Sequence, residues 1–349
     1  MSDPLRPKRL LTMTKRYATL DDVAKAAGLS RAQVSRALSG KPGVLPQTLQ
    51  RIQAVAAQLD YKPNLAARSL VSARSSIVGL VIGDPNNPFH IQLAQAVDQH
   101  LSAAGFDPVV SLRAVEHASA LHESDRLLKL RAAGVIMLAT PHTSKAVGEI
   151  ADKLPCVYIG SKRINHPRVT TIAVDDETAV RMAITHLISL GHRHIAHLGG
   201  GSEASARQRT QVYCKTMREA GLKPRFFRGS HDAASGRRGV DLLFAEGPAP
   251  TAIFASNDFI ALGVMDRLKG MGLSVPEDVS VVGFDDVPAA ASEVFSLSTL
   301  RQDTDQQART AVAALVTLIN NPNTESTRKV MPVELILRRS SAAPKRSAD

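Results

Sequence analysis

Three histidines stand close together in the stretch GHRHIAHLGG: His192, His194 and His197. Histidine is the commonest metal-ligating side chain, so the first chemistry to consider is a zinc-type site. The spacing argues against one, because on a strand residues 194 and 197 point to opposite faces and cannot share an ion. The run Gly199-Gly200-Gly201 could cradle a phosphate, but the Lys and Ser/Thr of a phosphate-binding loop are missing after it. Asp285-Asp286 is a carboxylate pair, yet adjacent side chains on an extended segment diverge. No nucleophile elbow or Cys/His signature is present, and two cysteines, Cys156 and Cys214, make no disulfide framework. The residues point to binding rather than catalysis, with no catalytic residue, metal or cofactor expected.

A second chemistry is the reading of bases. Arg31 and Arg36 lie a little over one helical turn apart, with Ala32 and Ser35 between them. Arginine can bond guanine O6 and N7 together, which makes both candidate guanine readers; the alternative for each is a phosphate contact without sequence information. Three short elements would position them. Thr19 followed by Asp22 resembles a capping box, and Leu20, Val23 and Ala24 form an apolar stripe ending near Gly28. Ser30 is an N-cap for a second helix, on which Val34, Ala37 and Leu38 share a face. A third begins after Pro46, with Leu49, Ile52, Val55, Ala56 and Leu59 inward, and ends at Asp60-Tyr61-Lys62-Pro63. Two helices joined by a glycine-containing turn are a helix-turn-helix, whose second helix enters the major groove.

Charge is placed to match. The 349 residues carry a net charge of +11, and residues 1–76 hold 13 Lys/Arg against 4 Asp/Glu. The remaining 30 basic and 28 acidic residues nearly cancel. Such a patch is an electrostatic footprint for a polyanion, although a solubilising basic tail would look the same. The hydrophobic fraction of 44% and charged fraction of 21% are those of a soluble globular protein. No apolar run reaches the roughly 18 residues of a membrane span, and the N-terminus has no apolar h-region; a cytoplasmic protein with no membrane partner is expected.

From Ile77 onward the apolar runs SSIVGLVIG, AGVIMLAT, CVYIG, HIAHLGG, TAIFAS and VSVVGF read as buried parallel strands. Amphipathic stretches at 90–104, 178–190, 206–220 and 259–271 alternate with them. Alternation means a doubly wound α/β sheet, and the number of strands means two lobes.

The stretch TLDDVAKAAGLSRAQVSRALSGKPGV, followed by LDYKPNLAARSL, strongly resembles the DNA-binding head and hinge of the LacI/GalR repressor family. One departure is Gln33, where the family usually has Thr. Beyond the head the resemblance continues through GDPNNPF at 83–89, HLISLGHRHIAHLGG at 186–200, the run 254–286 and LSTLRQD at 297–303. It implies an all-α helix-turn-helix head plus an α/β, periplasmic-binding-protein-like core of two Rossmann-like lobes. The implied domains are a disordered basic tail at 1–17, the head at 18–62, a hinge helix and linker at 63–76, the ligand-binding and dimerisation core at 77–340, and a disordered tail at 341–349. Within the core the first lobe takes about 77–174 and 303–330, and the second about 175–302 and 331–340.

The resemblance also implies site residues. Contacts to DNA fall to Thr19, Leu20, Ser30, Arg31, Ala32, Ser35, Arg36 and Ser39 in the head, and to Asn64, Ala67 and Leu70 in the hinge. In the family the leucine at Leu70 wedges a central base step open from the minor groove; packing on the core is the plain alternative. The ligand side falls to Asp84, Asn87, Phe89, Ser161, Arg209, His231, Asn257 and Asp285, mostly where strands end. Taken singly, Asp84, Asn257 and Asp285 could equally cap local backbone, and Arg209 could be a surface charge. His231 stands about where the family often has an aromatic residue, and Val212 where a Gly is frequent, so no particular sugar is implied. The expected partners are a duplex operator, a small carbohydrate-like effector and a second copy of the chain. The ending RRSSAAPKRSAD has no heptad repeat, which favours a dimer.

Overall fold

The computed structural model describes residues 18–38, 42–62, 75–112, 117–139, 144–201 and 203–345. Ser39, Asn64, Ala67 and Leu70, the tail 1–17 and most of the hinge lie outside these residues. The chain divides into two compact units, Met1–Ala73 and Arg74–Asp349.

The first unit holds α1 (Leu20–Ala27), α2 (Arg31–Leu38) and α3 (Pro46–Gln58). Capping chemistry sets each start. Thr19 and Asp22 form a reciprocal capping box: Asp22 N donates to Thr19 Oγ1 at 3.2 Å and Thr19 N to Asp22 Oδ2 at 2.9 Å. At α2 the same device is built from Ser30 and Gln33, whose Oε1 accepts from Ser30 N at 3.1 Å while Ser30 Oγ accepts from Gln33 N at 3.3 Å. The departure at Gln33 therefore has a local use. Gly28 ends α1 at φ 64°, a left-handed conformation that suits glycine. Val23, Ala27, Val34 and Ile52 make the small core. Leu59, expected inside, is 38% exposed, because α3 closes at that residue and its side chain falls beyond the packed face.

In the second unit the first lobe is a six-stranded parallel sheet. Its strands are β1 (Ile77–Ile82), β2 (Asp107–Ser111), β3 (Gly134–Leu138), β4 (Cys156–Ile159), β5 (Val169–Val174) and β11 (Arg328–Met331), in the order β11-β5-β4-β3-β1-β2. Helices α4 (Pro88–Ala103), α5 (His117–Lys129), α6 (Ser144–Ala151) and α11 (Thr304–Asn320) belong to it, and α11 packs on α4. The second lobe begins with α7 (Asp176–Ser189) and has a parallel sheet ordered β7-β6-β8-β9. Its strands are β6 (Ile195–Gly199), β7 (Arg225–Arg228), β8 (Ala252–Ala255) and β9 (Ser280–Val282), with helices α8 (Ala204–Glu219), α9 (Ala233–Ala245) and α10 (Asp258–Gly270). Strands β10 (Thr299–Gln302) and β12 (Val333–Ile336) pair antiparallel. The chain crosses between the lobes at Asp175, Asp303 and just after Met331. At the first two crossings an aspartate caps the helix that follows, Asp175 accepting from Thr178 N and Asp303 from Gln306 N. The runs read as buried strands are buried at every position in β1, β3, β4, β6, β8 and β9, as sheets covered on both faces require.

The expected disordered tail is corrected over 341–345. Ala342 N donates to Ser280 Oγ at 3.0 Å, His192 Nε2 donates to the Ala342 carbonyl at 2.9 Å, and Lys345 Nζ reaches Asp278 Oδ1 at 2.7 Å. Main-chain, hydroxyl and charged contacts hold this segment, so no apolar period marks it in the sequence.

Gly236 on α9 and Gly263 on α10 let the two helices approach closely. A Cβ at Gly263 would meet the Ala233 carbonyl, whereas one at Gly270, on the same helix, would meet only the end of a side chain at 3.9 Å. Gly263→Ala should therefore destabilise the chain by about 1–3 kcal/mol, since crowding against backbone outweighs the gain in helix propensity. Gly270→Ala should raise stability by a few tenths to about 1 kcal/mol. Thermal melts of the two variants check the opposite signs.

Candidate functional site

On the head, Arg31, Ala32 and Arg36 are exposed along α2, and Ser35 is half-buried between them. Thr19 and Ser30 are exposed at the helix starts, and Leu20 is half-buried. Arg31 Nε lies 3.6 Å from Asp21 Oδ1 with both side chains well exposed, a contact that solvent screens and that leaves the guanidinium able to exchange partners. The second helix thus presents two exposed cations.

A cavity of about 620 Å³ lies between the two lobes of the second unit. All eight residues singled out for ligand contact line it. Asp84, Asn87 and Phe89 come from the loop and helix start after β1, and Ser161 from the loop after β4. Arg209 comes from α8, His231 from the loop before α9, Asn257 from the start of α10, and Asp285 from the turn after β9. Several also do the local work that was the plain alternative. Asp84 Oδ1 accepts from Asn86 N at 3.0 Å, Asn87 Oδ1 from Phe89 N at 3.0 Å, and Asn257 Oδ1 from Ile260 N at 2.8 Å. One oxygen of each side chain fixes the loop, which holds the rest of the group at the cavity wall.

Arg209 is not a surface charge. It is 5% exposed. Its Nε donates to Asp176 Oδ1 at 2.7 Å and its Nη1 to the Ser256 carbonyl at 2.6 Å. The guanidinium carbon sits 3.4 Å above the Phe284 ring, and Nη1 is 3.9 Å from Asp285 Oδ1. Asp176, at the first position of α7, takes a second hydrogen bond from Ser161 Oγ at 2.5 Å. One network therefore runs from Ser161 in the first lobe, through Asp176 at the crossing, to Arg209 and Asp285 in the second. Sequence reading missed Asp176, whose position looks like an ordinary acidic helix start, and it missed Phe284, Gln302 and Gln307.

Asp285 has φ 118°, a strained backbone for a residue other than glycine. Its Oδ1 accepts from Gln302 Nε2 at 2.7 Å. Burial pushes its carboxyl up to about 6, against the opposing pull of the Arg209 charge and the Gln302 hydrogen bond. At His231, Nδ1 accepts from Asn257 Nδ2 at 3.2 Å, which places the ring proton on Nε2. Nε2 is buried, 3.1 Å from Glu203 Oε2 but without hydrogen-bond geometry. Gln307 Nε2, buried in the cavity wall, also has no acceptor among the described residues. Gln307 is thus a buried donor in the cavity wall that a ligand could satisfy, whereas the His231 ring already lies beside the Glu203 carboxylate and helps hold its pKa below the ordinary value.

The histidines of GHRHIAHLGG separate. His192 bonds the C-terminal segment, His194 is exposed, and His197 donates Nδ1–H to the Phe254 carbonyl at 2.9 Å, with its pKa lowered by burial to about 4. Among the described residues no three His, Cys, Asp or Glu side chains are placed to hold a metal ion, and no helix is long and apolar enough to cross a membrane.

Known proteins share this arrangement. Residues 19–64 match the model of bacterial regulatory proteins of the lacI family, and residues 184–341 match that of the periplasmic binding protein-like domain. The HTH-type transcriptional regulator CelR of Thermobifida fusca is 30% identical over 341 residues, covering 93% of this chain and 99% of that protein. The lactose operon repressor of Escherichia coli is 30% identical over 336 residues, covering 93% of this chain and 91% of the repressor. Among solved structures, the lac repressor dimer bound to operator and the anti-inducer ONPF superposes with a TM-score of 0.83 at 28% identity, covering 93% of this chain and 99% of that one. The CelR–cellobiose complex does so with 0.70 at 28% identity, covering 93% and 100%.

Between 3.8, the ordinary value, and about 6, folded Asp285 retains a proton that the unfolded chain releases. Stability therefore falls as pH rises through that window, and the full cost of the charged form is present above it. Asp285→Asn removes this titration. The ligand-free variant should be more stable than the wild type by up to about 3 kcal/mol at pH 8, and by little at pH 4. Melting temperatures at the two pH values check this, and a difference independent of pH contradicts it.

Proposed function

The chain belongs to the LacI family of bacterial transcriptional regulators, and from that premise we propose that it is a repressor whose hold on a pseudo-palindromic operator is set by a small hydroxylated ligand in the interlobe cavity. The observation that carries this reading is the Ser161–Asp176–Arg209–Asp285 network. A ligand that replaces or tightens any part of it acts on both lobes and on the crossing between them.

On this reading Arg209 and Asp285 clamp ligand hydroxyls or ring oxygens, with Asp84, Asn87, Asn257 and His231 completing the polar wall and Phe89 giving an apolar face. The ligand is a sugar, a sugar acid or a similar polyol. The chain acts in the cytoplasm as a homodimer, since two-fold symmetry in a protein mirrors two-fold symmetry in its site. Each head places α2 in a major groove, Arg31 and Arg36 toward base edges, with Thr19, Leu20, Ser30, Ala32, Ser35 and Ser39 around them. Asn64, Ala67 and Leu70 form a hinge that folds on the operator. An Ala-rich segment of this length is a marginal helix alone, which makes its folding easy to couple to binding. The lac repressor, solved as a dimer on operator, and CelR, solved with cellobiose, are consistent relatives for both halves of the proposal.

Selection from random duplexes should enrich a palindromic site, and Arg36→Ala should weaken binding to it by roughly 5- to 150-fold while relaxing the preference at one base pair per half-site. Enrichment of no palindrome contradicts the reading. A uniform loss on all sequences would make Arg36 a phosphate contact.

A further inference from the structure

Beyond the head, basic and acidic residues nearly cancel, but not locally. Residues 215–228, from the last turns of α8 through β7, carry Lys215, Arg218, Lys223, Arg225 and Arg228 against Glu219 alone. Some of these charges are answered inside the fold. Glu219 is bound by Arg181 at 2.6 Å, Lys215 lies 3.5 Å from Glu177, and the Arg225 guanidinium donates to the carbonyls of Pro248, Leu243 and Glu246. Arg218, Lys223 and Arg228 are exposed and meet no carboxylate among the described residues. Arg218 and Arg228 stand near one another, since both charges act on the thiol of Cys214 in α8.

The same strand has main chain turned outward. Strand β7 is the outer strand of the second-lobe sheet, and among the described residues it pairs with β6 alone. Gly229 N donates to the Gly199 carbonyl, and Phe227 stands opposite Leu198. In a parallel ladder of that register the N–H and C=O of Phe227 face β6, so those of Phe226 and Arg228 point away from the sheet. Phe227 packs toward Gly239 of α9, which puts the side chains of Phe226 and Arg228 on the opposite face, beside α8. Phe226 is 42% exposed, and the Arg228 guanidinium carbon lies 5.3 Å from its ring centre. Charge by itself would only blunt a strand edge; an exposed aromatic with arginine is the combination enriched where proteins meet. Phe226, Arg228, Arg218 and Lys223 lie apart from the lining of the interlobe cavity.

From this placement we propose that the β7 edge is a docking site for an acidic, extended segment of a partner protein, which adds to the sheet as a further strand. Its main chain pairs with the outward groups of Phe226 and Arg228, an apolar side chain rests on Phe226, and its carboxylates meet Arg218, Lys223 and Arg228. Charge selects the occupant. A second copy of β7 would bring arginine against arginine. Nucleic acid would answer the charge, but it has no alternating N–H and C=O groups to pair with a strand edge.

The test uses the full-length chain and the labelled peptide Glu-Thr-Glu-Thr-Val-Thr-Glu-Thr-Glu, followed by fluorescence anisotropy. It should bind at least about tenfold more tightly than the same peptide with Lys for Glu, and the preference should shrink as salt is raised. Two further versions carry N-methyl groups on alternate residues, odd in one and even in the other. Only one set of N–H groups faces β7, so one version should lose affinity by at least about tenfold and the other should bind like the parent. Arg218→Glu and Arg228→Glu together should weaken the parent peptide by at least about tenfold, with an unchanged melting temperature because both side chains are exposed; Arg218→Gln with Arg228→Gln gives the same direction without reversing charge. No binding of the acidic peptide, or equal binding of the two N-methylated versions, overturns the strand assignment. Binding that survives both arginine pairs of substitutions overturns it too. An oligothymidylate that displaces the peptide and binds more tightly through the same arginines makes the patch a nucleic-acid surface, and a dimer that Arg228→Glu alone breaks in sedimentation makes it a contact between copies; either result overturns the proposal.

Discussion

An ionised arginine removed from water needs partners, and Arg209 is held from several sides. Its Nε is on Asp176, its Nη1 on the Ser256 carbonyl, and its plane lies against the Phe284 ring. Deleting one partner of such a buried pair typically costs about 3–5 kcal/mol, because the other charge is stranded. That penalty constrains three things together. Helix α7 must start at the crossing so that Asp176 reaches Arg209. The end of β8 must bring Ser256 underneath. Ser161, from the opposite lobe, must close the second oxygen of Asp176. The cavity lies where these requirements meet.

The same constraint explains why the site is a costly place in the fold. Asp285 stands beside Arg209 on a strained backbone and holds a proton longer than an exposed carboxyl would. Nearby Asp258, fully buried, is raised by burial and then by the Asp285 charge, yet Thr299 and Val287 N bind both of its oxygens. Asp258 is thereby structural, fastening α10 to the turn that carries Asp285. Of the two carboxylates, only Asp285 faces the cavity. Strain and incomplete compensation gathered at one group are what binding sites retain at the expense of stability.

Much of this was legible in the sequence, and the reasons are uneven. Strands β1, β3, β4, β6, β8 and β9 announced themselves as continuous apolar runs because helices cover both faces. Strand β7, RFFR, alternates instead, since it is an edge with one face open, and it was not read as a strand. The eight cleft residues were reached through a family resemblance, and the structure brings them to one cavity. Residue pattern alone could not have paired Arg209 with Asp176, which lie 33 positions apart, because nothing local distinguishes a buried helix-start aspartate from a solvated one. The C-terminal segment escaped for a similar reason. Its contacts go through main-chain groups, the Ser341 hydroxyl and Lys345, which leave no hydrophobic period to detect. Gln33 ran the other way: what looked like a departure from the family pattern is also half of a capping box.

Under the proposed function, occupancy of the cavity and grip on the operator are one equilibrium. Coupling of this kind is reciprocal and typically amounts to 5- to 150-fold. The direct measurement is a pair of titrations at fixed salt. Operator affinity is followed by fluorescence anisotropy with and without the cavity ligand, and ligand affinity is followed with and without operator. Each should change the other by the same factor, at least fivefold. Two affinities that are independent of one another would contradict it.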